Sequence, residues 1–150
     1  MAKNQRSWIL ICVISGIILI LVLFIKKNTD KTLILPNGHP INVNVADTTF
    51  GRTKGLMYRK HLDENSGMLF VFDDKTKHIF WMKNTLIALD IIWMDENLKI
   101  VDVTHNALPC NTKACQTYMP ISPAKYALEV NGGYSERQNI KVGESLRLIE

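Results

Sequence analysis

The chain has 150 residues, enough for a single domain of ordinary size, and its net charge is +4. Residues 1–31 hold five of the 18 basic residues and one of the 14 acidic ones, so residues 32–150 carry 13 of each and are neutral overall. This distribution argues against a nucleic-acid-binding domain, because neutralising phosphates requires a net basic surface.

An uncharged apolar run of 18 residues, 8–25, follows a short polar tail, 1–7. As an α-helix it would be about 27 Å long, close to the hydrocarbon thickness of a bilayer. It is longer than the apolar region of a secretory signal peptide, and no small-residue cleavage site follows it. We therefore expect an uncleaved single-pass transmembrane helix over 8–25, with the lipid bilayer as its partner, and a linker over 26–31.

The orientation of this helix depends on the cysteines. The positive-inside rule gives nearly a tie between the basic residues on the two sides of the run, Lys3, Arg6, Lys26, Lys27 and Lys31. Cys110 and Cys115 suit a small disulfide loop, which persists only in an oxidising compartment. The alternative is two free thiols in a cytosolic domain. We expect the disulfide, and with it a domain on the extracytoplasmic side of the cell membrane.

Residues 32–150 read as one β-rich domain. The turn Pro36-Asn37-Gly38-His39 joins two strand-like segments into a hairpin, and the second segment, Ile41 to Val45, alternates apolar and polar residues as a half-buried strand does. Later apolar runs are bounded by similar turn signals. The predicted strands are 32–35, 41–45, 68–72, 78–82, 90–94, 99–103, 126–130 and 146–149.

One short helix interrupts these strands. Asp47 or Thr48 is a suitable N-cap for a helix running from Phe50 to about Met57, with Phe50, Leu56 and Met57 facing the core. About eight short strands and one helix predict a mainly β fold, a compact β-sandwich or barrel-like domain. The helix and its exit carry a basic patch, which is either a solvated face or an anion site: Arg52, Lys54, Arg59 and Lys60.

Five ordered segments identify a family resemblance: GRTKGLMYRK, SGMLFVFD, FWMKNTLIALDIIWMD, PCNTKACQTY and AKYALEVNGG. Together they resemble domain of unknown function family 192 (DUF192) over about residues 33–149. The chain departs from the family pattern at Ala88, Gln116 and Gly132, where the family has Pro, Pro and Ala. The resemblance implies a compact, mainly β sandwich, and it assigns no catalytic residues because the family has no established activity.

Polar and aromatic residues at strand ends and in loops of these motifs form the candidate ligand site. Trp and Tyr offer flat faces, Asn side chains offer paired donors and acceptors, and Arg suits an anion, so the set fits a small polar ligand such as a sugar or an anionic glycan fragment. The site would comprise Arg52, Arg59, Trp81, Lys83, Asn84, Asp90, Asn106, Tyr118, Glu129 and Asn131. We expect a membrane-anchored module that needs no cofactor and that binds such a ligand or is otherwise associated with the envelope, where a purely structural or assembly role is a further hypothesis.

Carboxylates inside apolar strands support a second hypothesis, an envelope enzyme that uses Asp90 or Glu129 as acid or base. Burial of an isolated charge is unfavourable, so a structural pair with Lys83, Arg52 or Arg59 is the preferred interpretation of these acids. No hydrolase motif or phosphate-binding loop is present, and the four histidines are scattered singly. A third hypothesis, Cu(I) binding, conflicts with the apolar context of most of the methionines concerned: Met57, Met68, Met82, Met94 and Met119.

Overall fold

The computed structural model of the protein describes residues 30–149. These residues form nine strands and two short helices, in the order β1 (Asp30–Ile34), β2 (Pro40–Ala46), α1 (Thr49–Lys54), β3 (Ser66–Thr76), β4 (Phe80–Trp81), β5 (Leu89–Met94), β6 (Ile100–Ala107), β7 (Thr117–Tyr118), β8 (Ala124–Asn131), α2 (Tyr134–Arg137) and β9 (Arg147–Ile149). The predicted mainly β class is therefore confirmed.

The predicted first hairpin is also confirmed. β1 pairs antiparallel with β2, and a backbone hydrogen bond of 2.9 Å from Gly38 N to Leu35 O closes the turn between them. Gly38 adopts a φ of 89°, which glycine tolerates because it has no Cβ.

Helix α1 connects β2 to β3, and these two strands run parallel. The hydroxyl of Thr48 caps the helix by accepting a hydrogen bond of 3.0 Å from Gly51 N, so the second of the two predicted caps is correct. The helix ends at Lys54 rather than near Met57, because Gly55 adopts a φ of 46°.

This early end changes the face that α1 presents. Phe50 is 77% exposed, so the prediction that it faces the core is wrong, whereas Leu56 is buried as expected. The physical reason is that no residue of α1 is buried: the core contact is made after the helix end, where Leu56 is buried and Met57 is half-buried.

Seven strands form the main sheet in the order β6-β5-β8-β3-β2-β1-β9. Every residue of β5, at Leu89–Met94, is buried, which explains its nearly continuous apolar sequence. The two edges of the sheet meet through the segment before β9: Ile100 N donates to Glu144 O at 2.8 Å, and Leu146 N donates to Leu98 O at 3.0 Å. The sheet therefore curls into a partly closed, barrel-like structure.

Both faces of the sheet carry a core. The face enclosed by the curl packs residues of six strands with α2, including Leu33, Ile41, Leu69, Ile92, Leu128 and Tyr134. The outer face packs against α1, its exit and the β4-β7 pair, and its buried residues include Leu56, Phe70, Met82, Ile91, Trp93 and Ala127. A ligand site on the outer face therefore has to lie between the sheet and this covering layer.

The methionines of the copper hypothesis are divided between core and surface. Met68, Met82 and Met94 are buried in the two cores, while Met119 is exposed. No group of three or more His, Cys, Asp or Glu residues within 30–149 is arranged to hold a metal ion. Core packing explains the buried methionines.

The predicted anchor, 8–25, lies outside the described residues, as do the tail over 1–7 and most of the linker. Between residues 30 and 149, no helix has the length and apolar character needed to cross a membrane.

A disulfide joins Cys110 to Cys115, as predicted, with their Cα atoms 5.8 Å apart. The loop it closes is held against the segment after β4, because Asn84 N donates to Cys110 O at 2.8 Å and Cys110 N donates to Met82 O at 3.2 Å. A loop this short contributes about 2 kcal/mol in the chain-entropy description.

Thiol titration of the full chain in denaturant checks this disulfide. The chain has three cysteines, so we expect one reactive thiol before reduction, from Cys12, and three after it. A Cys12→Ser variant is the matched control and is expected to give none before reduction and two afterwards. Three reactive thiols without reduction would contradict the disulfide and remove its support for an oxidising compartment.

Candidate functional site

A cavity of about 440 Å³ lies on the outer face of the sheet, between α1, the end of β3 and β4. Its lining combines aromatic rings with a few polar groups, the composition typical of small-molecule sites. Ile79 and Trp81 line it and are exposed, so they lie at its mouth. Its lining residues include Arg52, Lys54, Gly55, Phe70, Phe72, Asp73, Asp74, His78, Phe80, Trp81 and Glu129.

Glu129 is the buried polar group of this cavity. It lies in β8, where its backbone neighbours are Met68 of β3 and Ile91 of β5, and the residue is only 5% exposed. Its Oε2 atom has no hydrogen-bond partner within residues 30–149. Burial raises the pKa of the Glu129 carboxyl to about 8, so the group is mostly protonated at neutral pH.

Gly55 keeps the space above this carboxyl open. A Cβ atom at Gly55 would lie 3.2 Å from Phe70 Cζ and 3.8 Å from Glu129 Oε2. The φ of 46° at this position also disfavours any residue with a side chain. The glycine that ends α1 thus also shapes the cavity floor.

Aromatic rings form a rigid wall beside the carboxyl. Phe80 packs edge-on against Phe70 at 4.8 Å between ring centroids, against Phe72 at 6.0 Å and against Trp93 at 4.8 Å. His78 stacks on Phe72 at 3.5 Å. These contacts fix the ring positions, so the cavity is preformed rather than created by side-chain rearrangement.

Arg52 lines the cavity, but its guanidinium is already bonded. Its Nη1 donates to Asp47 O at 2.6 Å and to Val71 O at 2.8 Å, and its Nη2 contacts Asp73 Oδ2 at 3.2 Å. Arg52 therefore ties α1 to β3, and three of its five N–H donors are already used.

Asp90 is held in a different way from Glu129. It is fully buried, and its carboxylate accepts hydrogen bonds from Asn106 N at 2.8 Å, Gly133 N at 3.0 Å, Ser135 N at 2.8 Å and Ser135 Oγ at 2.5 Å. Burial raises the pKa of Asp90, but the bonds from Ser135, Asn106 and Gly133 outweigh it, so the pKa lies below its usual value. These bonds fasten α2 and the end of β6 to β5.

The predicted ion pairs of the strand carboxylates with Lys83, Arg52 or Arg59 are therefore wrong for the described chain. Backbone N–H groups, rather than basic side chains, satisfy Asp90. Asp102 likewise accepts from Val103 N and Ile121 N, both at 2.9 Å. Protonation reduces the penalty of burying Glu129, so it needs no cation in the ligand-free protein.

The ten predicted site residues do not converge on one place. Arg52, Trp81 and Glu129 line the cavity, and the Lys83 ammonium lies 5.2 Å from the ring centroid of Trp81 at its mouth. Asp90 and Asn106 line a second cavity of about 700 Å³ near α2. The other four residues lie elsewhere. Arg59 lines a third cavity and donates a hydrogen bond to Asn44, and the Asn84 amide donates one to Tyr58 Oη. Tyr118 packs on the outer core, and the Asn131 amide donates a hydrogen bond to Leu62 O.

Several cavity residues were missed by the sequence analysis. Phe70 and Phe72 alternate with Leu69 and Val71 along β3, so strand periodicity places both rings on one face. That face could have been matched to Glu129 only with knowledge that β3 pairs with β8. His105 was also missed as a partner: its Nδ1 lies 3.0 Å from Ser135 Oγ, next to Asp90.

Comparisons with known proteins give a consistent result. The model of the DUF192 family, described as an uncharacterized ACR, matches residues 32–148. A UPF0127 protein of Pyrococcus furiosus is 32% identical over 111 residues, which cover 71% of this chain and 85% of the relative. A UPF0127 protein of Thermococcus sibiricus is 28% identical over 109 residues, which cover 69% of this chain and 64% of the relative's length.

A solved structure also resembles this fold. The crystal structure of a protein of unknown function from Novosphingobium aromaticivorans matches with a TM-score of 0.71 at 31% identity. The match covers 79% of this chain and 83% of that chain. Neither this structure nor the relatives bring an assigned activity, so function has to be argued from the cavity.

Proposed function

The chain belongs to the DUF192 family, and from its cavity we propose that it is a binding module for a small polar ligand, with Glu129 as the central contact. The observation that carries this proposal is the buried Glu129 carboxyl, which lines the cavity and whose Oε2 lacks a partner in the described chain. An unsatisfied buried carboxyl is unfavourable, and a ligand that bonds to it removes that penalty.

A ring-shaped polar ligand such as a sugar fits better than a simple anion. Trp81 is 48% exposed at the mouth and offers a flat surface, and a protonated Glu129 both donates and accepts hydrogen bonds. Arg52, the basic residue expected to bind an anion, is occupied by two carbonyl groups and Asp73. The ligand we propose is therefore sugar-like, with an anionic glycan fragment as the less favoured case.

The proposed setting is the outer side of the cell membrane. The apolar run over 8–25 supports a single-pass anchor, and the disulfide at Cys110–Cys115 supports an oxidising compartment. Because β1 begins at Asp30, five residues after the apolar run ends at Ile25, the anchor would hold the domain close to the membrane surface. Envelope sugars would then be within reach.

Binding of a panel of sugars and anions to the full chain in detergent micelles tests this function. We expect at least one panel member to bind and to raise the unfolding temperature, because it satisfies Glu129. Trp81→Leu and Glu129→Leu are each expected to weaken binding at least about tenfold, equivalent to about 1.4 kcal/mol.

Arg59→Gln is the matched control for this experiment, because Arg59 lines a separate cavity. It is expected to leave the affinity unchanged. The proposal would be contradicted if no panel member bound, or if Arg59→Gln weakened binding as much as the two cavity variants.

An enzyme of envelope material is the second candidate, and the raised pKa of Glu129 favours it specifically. A carboxyl with a pKa of about 8 is protonated at neutral pH, as a general acid must be. Asp90 suits this role less well, because four hydrogen bonds occupy its oxygens. Cleavage of a glycan by the wild-type chain, lost in Glu129→Gln while binding is retained, is the result this candidate requires.

A further inference from the structure

We propose that the ligand of this cavity carries a protonated amine that forms an ion pair with the Glu129 carboxylate. This inference rests on the proposed binding function and narrows its ligand to small molecules with a ring or apolar body and a primary ammonium group. Amino sugars and aromatic amines share this chemistry.

The carboxyl groups around the cavity differ in whether they have a basic partner. Arg52 is paired with Asp73 at 3.2 Å, and His78 lies 3.7 Å from Asp74. The charged and titratable residues that line the cavity with Glu129 are Arg52 and Lys54 on α1, Asp73 and Asp74 at the end of β3, and His78 beyond it. Among these groups, Asp73 is paired with Arg52 and Asp74 lies beside His78, whereas Glu129 is paired with none of the basic residues that line the cavity, so the ammonium of a ligand would be its partner.

An ammonium group would interact more strongly with the Glu129 carboxylate than a hydroxyl would. A hydroxyl supplies one neutral hydrogen bond. An ammonium supplies a charge-assisted bond and a Coulomb attraction that is strong where water is excluded. Glu129 lines the cavity but is only 5% exposed, so the attraction is little screened.

The aromatic wall of the cavity suits a ligand with an ammonium group on a ring-shaped body. Phe70, Phe72, Phe80 and Trp81 surround the space with aromatic rings, which attract ammonium groups and pack well against a ring-shaped body. The Lys83 ammonium already lies 5.2 Å from the centroid of the Trp81 ring at the mouth, so the ligand's ammonium would lie deeper, beside Glu129. The cavity volume of about 440 Å³ accommodates a single-ring molecule.

Ion pairing requires Glu129 to lose its proton. Near neutral pH, the ammonium and the neutral carboxylic acid form the ammonium–carboxylate pair and release one proton to the buffer. Binding therefore tightens as pH rises toward the pKa of the free carboxyl, about 8, as long as the amine stays protonated, and it weakens above the pKa of the amine.

Titration calorimetry of the full chain in micelles, with two pairs of matched probes, tests this inference. The pairs are benzylamine with benzyl alcohol and glucosamine with glucose, in which an ammonium replaces a hydroxyl. We expect an amine to bind at least about tenfold more tightly than its alcohol, and to release close to one proton at pH 7 when buffers of different ionisation enthalpy are compared. Glu129→Gln should abolish both the preference and the proton release.

The outcomes separate this inference from the proposed function. If a sugar or alcohol binds as tightly as its amine, and Glu129→Leu weakens it, the binding function stands and the ammonium inference is overturned. If only an anion binds, the ammonium inference is likewise overturned. If neither the amines nor the wider panel of sugars and anions binds, both proposals are overturned.

Discussion

Raising the pH from about 5 to 9 is expected to lower the free energy of unfolding, and Glu129→Gln is expected to remove most of that loss. The folded-state pKa of Glu129 is about 8, above the ordinary value of 4.5. Between these values the folded protein retains a proton that the unfolded chain releases, so stability falls as pH rises and levels off above the folded pKa. The difference corresponds to about 5 kcal/mol over the whole window.

Urea unfolding of the full chain at several pH values measures this effect. The glutamine side chain introduced by Glu129→Gln is neutral at every pH, so the variant should be more stable than wild type at pH 9, whereas at pH 5 it should have no advantage. Glu136→Gln, at an exposed position of α2, is the control and should leave the wild-type pH profile in place. Parallel profiles for wild type and Glu129→Gln would contradict a buried, unpaired carboxyl at position 129.

Asp90→Ala is expected to destabilise the protein by about 3–5 kcal/mol, the range seen when one partner of a buried charged network is removed. The variant leaves the N–H groups of Asn106, Gly133 and Ser135, and the Ser135 hydroxyl, without their acceptor. The free energy of unfolding of Asp90→Asn should lie between those of wild type and Asp90→Ala. The amide oxygen of the variant accepts some of these bonds, while its NH₂ group faces a donor.

Asp102→Ala provides the comparison for Asp90. Asp102 accepts two backbone hydrogen bonds and is only partly buried, so its loss should cost about 1–2 kcal/mol. The contribution of Asp90 to the free energy of unfolding depends on pH in the opposite sense to that of Glu129, because the pKa of Asp90 is lowered. This contribution is present above the ordinary pKa of 3.8 and is lost as pH falls through the lower folded-state pKa. Similar losses for Asp90→Ala and Asp102→Ala in urea unfolding would contradict the anchoring role of Asp90.

Local sequence signals predicted the parts of the fold that depend on neighbouring residues. The Asn37-Gly38 turn, the alternation after Pro40 and the close spacing of Cys110 and Cys115 each act within a few residues, and each was found as predicted. The end of α1 was missed although Gly55 directly follows Lys54, and a glycine at this position is a local sequence signal for a helix end.

The states of Asp90 and Glu129 depend on contacts that local sequence signals do not predict. In the sequence both are single acids in apolar strands, and both invited the same ion-pair interpretation. Their different states depend on residues far along the chain: Asp90 receives N–H groups from positions 106, 133 and 135, whereas the helix end at Gly55 leaves Glu129 an open cavity. The strand order that creates these contacts, with β8 between β3 and β5, is not written in any local pattern.

The most direct test of the central claim is a carboxyl carbon NMR titration of Glu129 in the full chain, assigned by comparison with Glu129→Gln. The account predicts a pKa of about 8 in the ligand-free protein, and a lower value when a binding amine is added. A pKa near the ordinary 4.5 in the ligand-free protein would show that Glu129 is solvated or already paired, and would contradict the account.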